Sequence, residues 1–98
     1  MYSLIIPKDI NKQLDKLGNQ IKSRILAKLI LLKDSPKSKS QPLVGTKFWK
    51  TRIGDYRVVF YISDKKLVIL VLEVEHRKKV YDRVNNLKIP EEYADLKE

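Results

Sequence analysis

Apolar residues in the first third of the chain recur every three or four positions, which is the spacing of one face of an α-helix. Gly18 separates two such stripes, and Asn19 is a suitable N-cap for the second helix. A β-prone run over residues 2–6, ended by Pro7, precedes both stripes. The pattern therefore predicts a short strand followed by a helical hairpin, with these core positions: Ile10, Leu14 and Leu17 in the first helix, and Ile21, Ile25, Leu29 and Leu32, widened by Leu26 and Ile30, in the second.

Beyond Pro36 the period of the apolar positions changes. Residues 37–47 are mostly polar and predict a surface loop. Residues 47–53 and 56–62 then predict two strands joined by Gly54-Asp55, a pair that suits a type II′ turn because glycine accepts the positive φ of the first central position. The unbroken apolar run over 67–72 indicates a strand buried on both faces, and hence central in the sheet.

The two-residue turn fixes the register of this hairpin. Ile53 must face Tyr56, which in turn sets Arg52 opposite Arg57 and Lys50 opposite Val59. One face of the hairpin is then apolar and is expected to pack on the helices: Trp49, Thr51, Ile53, Tyr56, Val58, Phe60 and Ile62. The opposite face, called the cation face below, carries Phe48, Lys50, Arg52, Arg57, Val59 and Tyr61.

The juxtaposition of Arg52 and Arg57 calls for an explanation beyond folding, because like charges directly opposite one another destabilise a sheet. An anion bound between them supplies one explanation, and long side chains that splay into water supply another. Extending the register through the next turn places Val68, Leu70, Leu72, Val74 and His76 on the cation face. A single bulge would place Arg77 there instead of His76.

The net charge of the chain is +9, and its distribution is uneven. Residues 85–98 hold two basic and four acidic side chains, so residues 1–84 hold nineteen basic and eight acidic ones, a net charge of +11. Such a body favours a polyanionic partner, most plausibly nucleic acid, although a basic surface without a dedicated partner has the same composition.

Composition excludes several kinds of chemistry. The chain has no cysteine and one histidine, which rules out thiolate nucleophiles, disulfides and multi-histidine metal centres. Its 98 residues suit one domain, and its longest apolar run is far too short to cross a bilayer. We expect a cytoplasmic protein that has no membrane partner.

The cation face, together with Tyr81, suits phosphate chemistry. Cations hold nonbridging oxygens and stabilise the charge that builds up on phosphorus, and an aromatic ring stacks on a base. We expect no pair of carboxylates in this cluster, and hence no magnesium site and no cofactor. Cleavage without a metal suits RNA, whose 2′-hydroxyl is a built-in nucleophile, and a lysine crowded by arginines is a candidate base.

Residues 48–61 (FWKTRIGDYRVVFY) and 68–81 (VILVLEVEHRKKVY) resemble the RelE branch of the RelE/ParE toxin superfamily, and the likeness spans roughly residues 2–84. The resemblance implies an α+β fold, with an N-terminal strand and helical hairpin packed on an antiparallel sheet and a short C-terminal helix or tail. It implies a single RelE-like toxin domain over residues 1–84 and a C-terminal extension of unknown role over 85–98. It also implies a toxin that enters the ribosomal A site, cuts mRNA there and is held by a RelB-like antitoxin; mRNA, the ribosome and its rRNA are then the other partners.

Carried over position by position, the resemblance assigns a role to each candidate catalytic residue. Lys50 is the candidate base, and Arg52 and Arg57 stabilise the transition state. Arg52 departs from the lysine more common in the family, and an arginine stabilises charge but is a poor base. The leaving 5′-oxygen is assigned to Arg77 or His76, and Tyr81 stacks on the substrate base.

Two other functions remain open from the sequence. The first is a ParE-like protein that inhibits DNA gyrase without cleaving RNA, and the second is an RNA-binding domain without catalytic activity. Trp49 and Tyr56 are expected to be core residues rather than base platforms, since the register places them on the apolar face. Pro90 is a possible start for a final helix.

Overall fold

The computed structural model describes residues 1–76 and 87–98. Arg77 and Tyr81 lie outside the described residues, so their predicted roles are not tested by the fold. In chain order the elements are β1 (Ser3–Ile5), α1 (Lys8–Lys16), α2 (Asn19–Leu31), β2 (Gln41–Pro42), β3 (Trp49–Ile53), β4 (Tyr56–Ser63), β5 (Val68–His76) and a final 3₁₀ helix (Glu91–Leu96).

The helical hairpin is confirmed, with two differences from the sequence prediction. Gly18, at φ 90°, is the N-cap of α2, so that Asn19 is the first helical residue rather than its cap. A glycine serves here because a positive φ lets the chain reverse between the helices without a Cβ clash. Ile30 was expected to widen the apolar stripe, but it is exposed because the sheet reaches only the face that bears Ile25 and Leu29.

The sheet has the strand order β1-β5-β4-β3-β2. Its α+β class agrees with the prediction, but it is mixed rather than wholly antiparallel, because β1 pairs in parallel with β5. A parallel pair requires a long connection, and the chain between the two strands, which includes both helices, supplies it. β5 lies between β1 and β4 and is largely buried, as its unbroken apolar run predicts.

The predicted register of the β3–β4 hairpin is confirmed, and the observed pairs run from Ile53–Tyr56 at the turn to Trp49–Phe60. Gly54 has φ +57° and Asp55 does not have a positive φ, as a type II′ turn requires. The segment over 37–47 is not wholly a surface loop, because Gln41 and Pro42 form β2 and pair with Lys50 and Trp49 at the sheet edge. A strand of two residues is too short to produce a periodic pattern in the sequence.

A β-bulge interrupts the pairing of β4 with β5. Phe60 pairs with Val71 but Val59 pairs with Glu73, so Leu72 is an extra residue on β5. Val68, Leu70 and Leu72 lie on the cation face, as predicted. The bulge reverses the alternation beyond Leu72, so the prediction that Val74 and His76 lie on the cation face is wrong.

Two hydrophobic clusters cover opposite faces of the sheet. The first lies under the helices and includes Leu14, Leu29 and Phe60, with Trp49 and Tyr56 packed against it, which confirms both aromatics as core residues. The second, which the sequence did not predict, forms where residues 87–98 cover part of the cation face: Leu43, Phe48, Val59, Tyr61, Leu70, Leu72, Ile89 and Leu96.

Hydrogen bonds fix the end of this C-terminal segment to the β4–β5 hairpin. The Glu98 Oε1 atom accepts bonds from the Ser63 hydroxyl at 2.9 Å and from the Lys65 amide at 2.6 Å. The Glu98 amide donates to the Tyr61 hydroxyl at 2.9 Å. Among the described residues, this segment covers Val59 and Tyr61 but not the part of the cation face near the β3–β4 turn. Neither α1 nor α2, nor any other helix of the described ranges, has the length and apolar character needed to span a bilayer.

Candidate functional site

A concavity of about 350 Å³ lies at the open end of the cation face, beside the β3–β4 hairpin. Three of the predicted catalytic residues, Lys50, Arg52 and Arg57, line it. The remaining lining comes from Lys39, Ser40, Gln41 and Thr51, so four cations and no acidic residue are found among the described residues of its wall. Such a wall favours an anionic ligand.

Strand geometry places the three cations together. Lys50 and Arg52 are two positions apart on β3, and alternation along a strand therefore puts both on the same face. Arg57 is the direct cross-strand partner of Arg52. The Arg52 Nε atom donates a hydrogen bond to the Gly54 carbonyl at 3.2 Å, which directs this guanidinium along the strand toward the turn.

Arg57 has an unusual environment. Its Nε–H group is buried and has no hydrogen-bond partner among residues 1–76 and 87–98. An unpaired buried donor costs about 1–3 kcal/mol. A bound anion that reorients the guanidinium would offset part of this cost.

The structure adds Lys39, Ser40 and Gln41 to the site, none of which the sequence indicated. Gln41 pairs directly with Lys50 through β2. The Lys39 ammonium group donates to the Leu31 carbonyl at the end of α2 at 3.0 Å, which anchors this side chain at the edge of the concavity. The available signal was an alternation of polar residues before Pro42, which is too short to distinguish an edge strand from a loop.

His76 does not join the three cations. It pairs with Tyr56 at the end of β5, and its ring meets that of Tyr56 edge-on, with the centroids 5.4 Å apart and the planes at 85°. Both residues lie on the face of the sheet that packs against α1, opposite Arg57. Of the two predicted alternatives for the leaving group, His76 is therefore the one that the bulge turns away from the cation face.

The same bulge places two carboxylates on the cation face. Glu73 pairs with Val59 and Glu75 pairs with Arg57, so the expectation that no pair of carboxylates lies in this region is wrong. The exposed fraction of Glu75 is only 9%. Neither carboxylate lines the concavity, and the pair lies on the β5 side of Arg57. The described residues contain no group of three or more potential His, Asp or Glu ligands for a metal ion.

Hydrogen bonds change the pKa values of three side chains in a separate cluster, outside the concavity. The Lys37 ammonium group and the Tyr2 hydroxyl both donate to Asp64, at 2.5 and 2.7 Å, and these bonds lower the pKa of that carboxyl. The same bonds raise the pKa of Lys37 and the pKa of Tyr2. This cluster links β1, the loop after α2 and the β4–β5 turn, and its role is structural.

Comparison with known proteins identifies the family. A family model for the ParE toxin of the type II toxin–antitoxin system parDE matches residues 4–81. The mRNA interferase toxin RelE of Escherichia coli K12 is 30% identical over 71 residues, which cover 69% of this chain and 75% of that protein.

Solved structures have the same fold. The archaeal RelE–RelB complex from Pyrococcus horikoshii is 28% identical, with a TM-score of 0.68 over 81% of this chain and 98% of that one. The RelBE2 toxin–antitoxin complex from Mycobacterium tuberculosis has a TM-score of 0.71 at 24% identity, covers 78% of this chain and 98% of that one, and supports the fold alone. The matched family model, the 30% identical relative and the shared fold show that this chain belongs to the RelE/ParE superfamily of type II toxin–antitoxin toxins.

Proposed function

We propose that the protein is a ribosome-dependent endoribonuclease toxin that cuts mRNA in the A site. The observation that carries this proposal is the concavity in which Lys50, Arg52 and Arg57 meet on an otherwise acid-free wall of described residues. The 30% identical relative named as an mRNA interferase supports the same activity.

The proposed reaction uses the substrate's own nucleophile and needs no metal ion. The 2′-oxygen loses its proton and attacks the adjacent phosphorus, the bond from phosphorus to the 5′-oxygen breaks, and that oxygen leaves with a proton. Lys50 is the candidate proton acceptor. The guanidinium groups of Arg52 and Arg57 bind the nonbridging oxygens, on which negative charge increases in the transition state.

The remaining roles fall near the end of β5. Because His76 packs against Tyr56, away from the three cations, we assign the leaving oxygen to Arg77, the other residue that the family resemblance offers for this role. Tyr81 retains its proposed role as the ring that stacks on the substrate base.

The ribosome supplies what an isolated RNA strand lacks. A flexible strand must pay the entropy of ordering before its 2′-oxygen lines up with the scissile bond, and an A-site codon held by the ribosome is ordered already. The dependence on ribosomes is therefore part of the proposed mechanism.

We further propose a RelB-like antitoxin as the partner of this chain. The 28% identical solved relative from Pyrococcus horikoshii is a complex of RelE with RelB. A protein that stops translation must be neutralised in its own cell, and an acidic segment would complement a body whose first 84 residues carry a net charge of +11.

Inhibition of DNA gyrase is the second candidate function, and one observation favours it: the matched family model is that of a ParE toxin. A protein that only binds gyrase does not need the cluster of Lys50, Arg52 and Arg57. Primer extension on translating ribosomes separates the two functions, because only the nuclease produces cuts in mRNA. If the mRNA stays intact in the presence of folded protein, a supercoiling assay tests gyrase directly.

A further inference from the structure

A second basic concavity, of about 510 Å³, lies where residues 87–98 meet the start of β3. Three lysines line it: Lys47 from the β3 side, and Lys88 and Lys97 from the C-terminal segment. Phe48 forms part of its floor, with the Lys47 ammonium 6.0 Å from the centre of the ring. Lys88 and Lys97 lie beyond residue 81, where the match to the family model ends.

The basic and acidic side chains of the C-terminal segment lie largely on different sides of it. Over residues 87–98 the segment is net acidic, with two lysines and four carboxylates. Both lysines line the concavity, whereas Glu91 is the one acid among the described residues that does so. Glu98 instead bonds Ser63 and Lys65 at the β4–β5 turn. A negatively charged ligand would account for the two lysines on this side of the segment.

The two concavities are neighbours along β3. Phe48 and Lys50 alternate onto the same face of that strand, and Lys47 and Lys50 are three residues apart, or about 10 Å at the rise of a β-strand. The C-terminal segment is held firmly at this place by the buried side chains of Ile89 and Leu96. A strand of nucleic acid whose scissile phosphate lies between Lys50 and Arg57 thus has a fixed basic surface beside it.

We propose that Lys47, Lys88 and Lys97 form a second phosphate subsite, which binds the backbone of an RNA strand beside the cleavage site. The subsite rests on the proposed nuclease function and extends it to a segment to which the family resemblance assigns no role. Its ligand is an RNA phosphodiester, from the mRNA itself or from the ribosomal RNA around it.

The first test is the salt dependence of binding to a short fluorescein-labelled RNA whose 2′-O-methyl groups prevent cleavage. The plot of log K against log salt falls with a slope of about −0.7 for each phosphate contact to a single strand. The slope of the double variant Lys88→Gln/Lys97→Gln should therefore be shallower by about 1.4. Its matched control is Lys8→Gln/Lys12→Gln, which removes two exposed lysines of α1 on the other face of the sheet and should leave the slope unchanged.

Glu91→Gln provides a test with the opposite sign. The substitution removes the acid from the lining of the concavity, so it should tighten RNA binding, whereas loss of a purely structural contact would not. All of these side chains are exposed, and thermal melting should show that the variants fold like the parent.

Ribosomes distinguish the two sources of RNA. Weaker binding of the double variant to both free RNA and ribosomes identifies the mRNA strand, and weaker binding to ribosomes alone identifies ribosomal RNA. Equal affinity and slope for parent and double variant on both would overturn the subsite. The subsite would also be overturned if the double variant lost affinity for an acidic antitoxin but not for RNA or ribosomes. If the parent binds RNA through these lysines but never cuts mRNA on ribosomes, the subsite stands and the nuclease proposal fails; if cutting persists without any effect of the lysines, the reverse holds.

Discussion

Arg52 and Arg57 face each other directly across the β3–β4 hairpin, on the open part of the cation face. A like-charged cross-strand pair destabilises a sheet, and the buried Nε–H of Arg57 without a described partner adds to that cost. Glu75, the partner of Arg57 on β5, offsets part of this cost on one side. The side that faces the concavity has no acidic residue among those described, and a cost that stays uncompensated there is typical of a functional site.

Substituting Arg57 by alanine should remove toxicity without unfolding the protein. Loss of one donor to a developing oxyanion lowers the rate about 10²–10³-fold. Arg57 is such a donor in the proposed mechanism, and its position opposite Arg52 places both guanidinium groups at the same phosphate. The measurement is growth arrest on induction in cells, alongside circular dichroism of the purified variant. Arg24→Ala, which removes an exposed arginine of α2 near the same turn, is the control and should remain toxic.

Inorganic phosphate should stabilise the parent more than an Arg52→Gln variant. A ligand that binds only the folded state adds about 1.4 kcal/mol to the free energy of unfolding at ten times its Kd. Replacing Arg52 removes one of the two guanidinium groups and so weakens phosphate binding. Melting temperatures at rising phosphate and constant ionic strength report the difference. An equal response of both proteins would mean that no anion lies between Arg52 and Arg57.

We expect Arg77, rather than His76, to serve the leaving oxygen. His76→Gln is expected to retain cleavage within about threefold, because that ring packs against Tyr56 away from the cations, whereas Arg77→Gln should lose about 10²-fold. Single-turnover cleavage on programmed ribosomes measures both. A loss in His76→Gln as large as that in Arg77→Gln would return the acid role to the histidine.

The sequence predicts the position of a site residue correctly only where side chains alternate regularly along the strand. The Gly54-Asp55 turn determines every pair of the β3–β4 hairpin, so Lys50, Arg52 and Arg57 could be placed together from the sequence. The bulge at Leu72 reverses the alternation of the strand, and no residue type marks such a bulge. For that reason His76 was placed on the wrong face and Glu73 and Glu75 were not anticipated beside the cations.

Long-range contacts were equally out of reach. The wall formed by Lys39, Ser40 and Gln41 depends on a strand of two residues, which is set by its pairing with β3 rather than by its own pattern. Phe48 and Tyr61 lie on the predicted face, but residues 87–98 cover them, a tertiary contact that periodicity does not encode. Local geometry therefore predicted that the three candidate catalytic cations lie together, and tertiary packing determines which residues surround them.

The C-terminal segment should loosen when its buried leucine is shortened. Leu96 is 6% exposed in the second cluster, and Leu→Ala substitutions in a core cost about 2–5 kcal/mol, with the lower end expected where a terminal segment can detach instead of leaving a cavity. Hydrogen exchange should show lost protection of the Glu98 amide in Leu96→Ala while the β3–β4 hairpin stays protected. The exposed substitution Lys97→Ala serves as the control; the same loss of protection there would assign no anchoring role to Leu96.

Asp64 should contribute to stability only above its folded-state pKa. The bonds from Lys37 and Tyr2 lower that pKa below the ordinary value of about 3.9, so the contribution is complete above the ordinary value and is lost as the pH falls through the lowered one. The effect is small because the charges are exposed to water. Urea unfolding of the parent and of Asp64→Asn should give curves that differ at neutral pH and converge in acid; a constant difference would contradict this.

The most direct test of the central claim is primer extension on an mRNA in translating ribosomes, with purified parent protein, Arg57→Ala and the Arg24→Ala control. The account predicts cuts at A-site codons with the parent and the control, without added metal beyond what the ribosome requires, and none with Arg57→Ala. Intact mRNA beside folded, antitoxin-free parent protein, or equal cutting by Arg57→Ala, would contradict it.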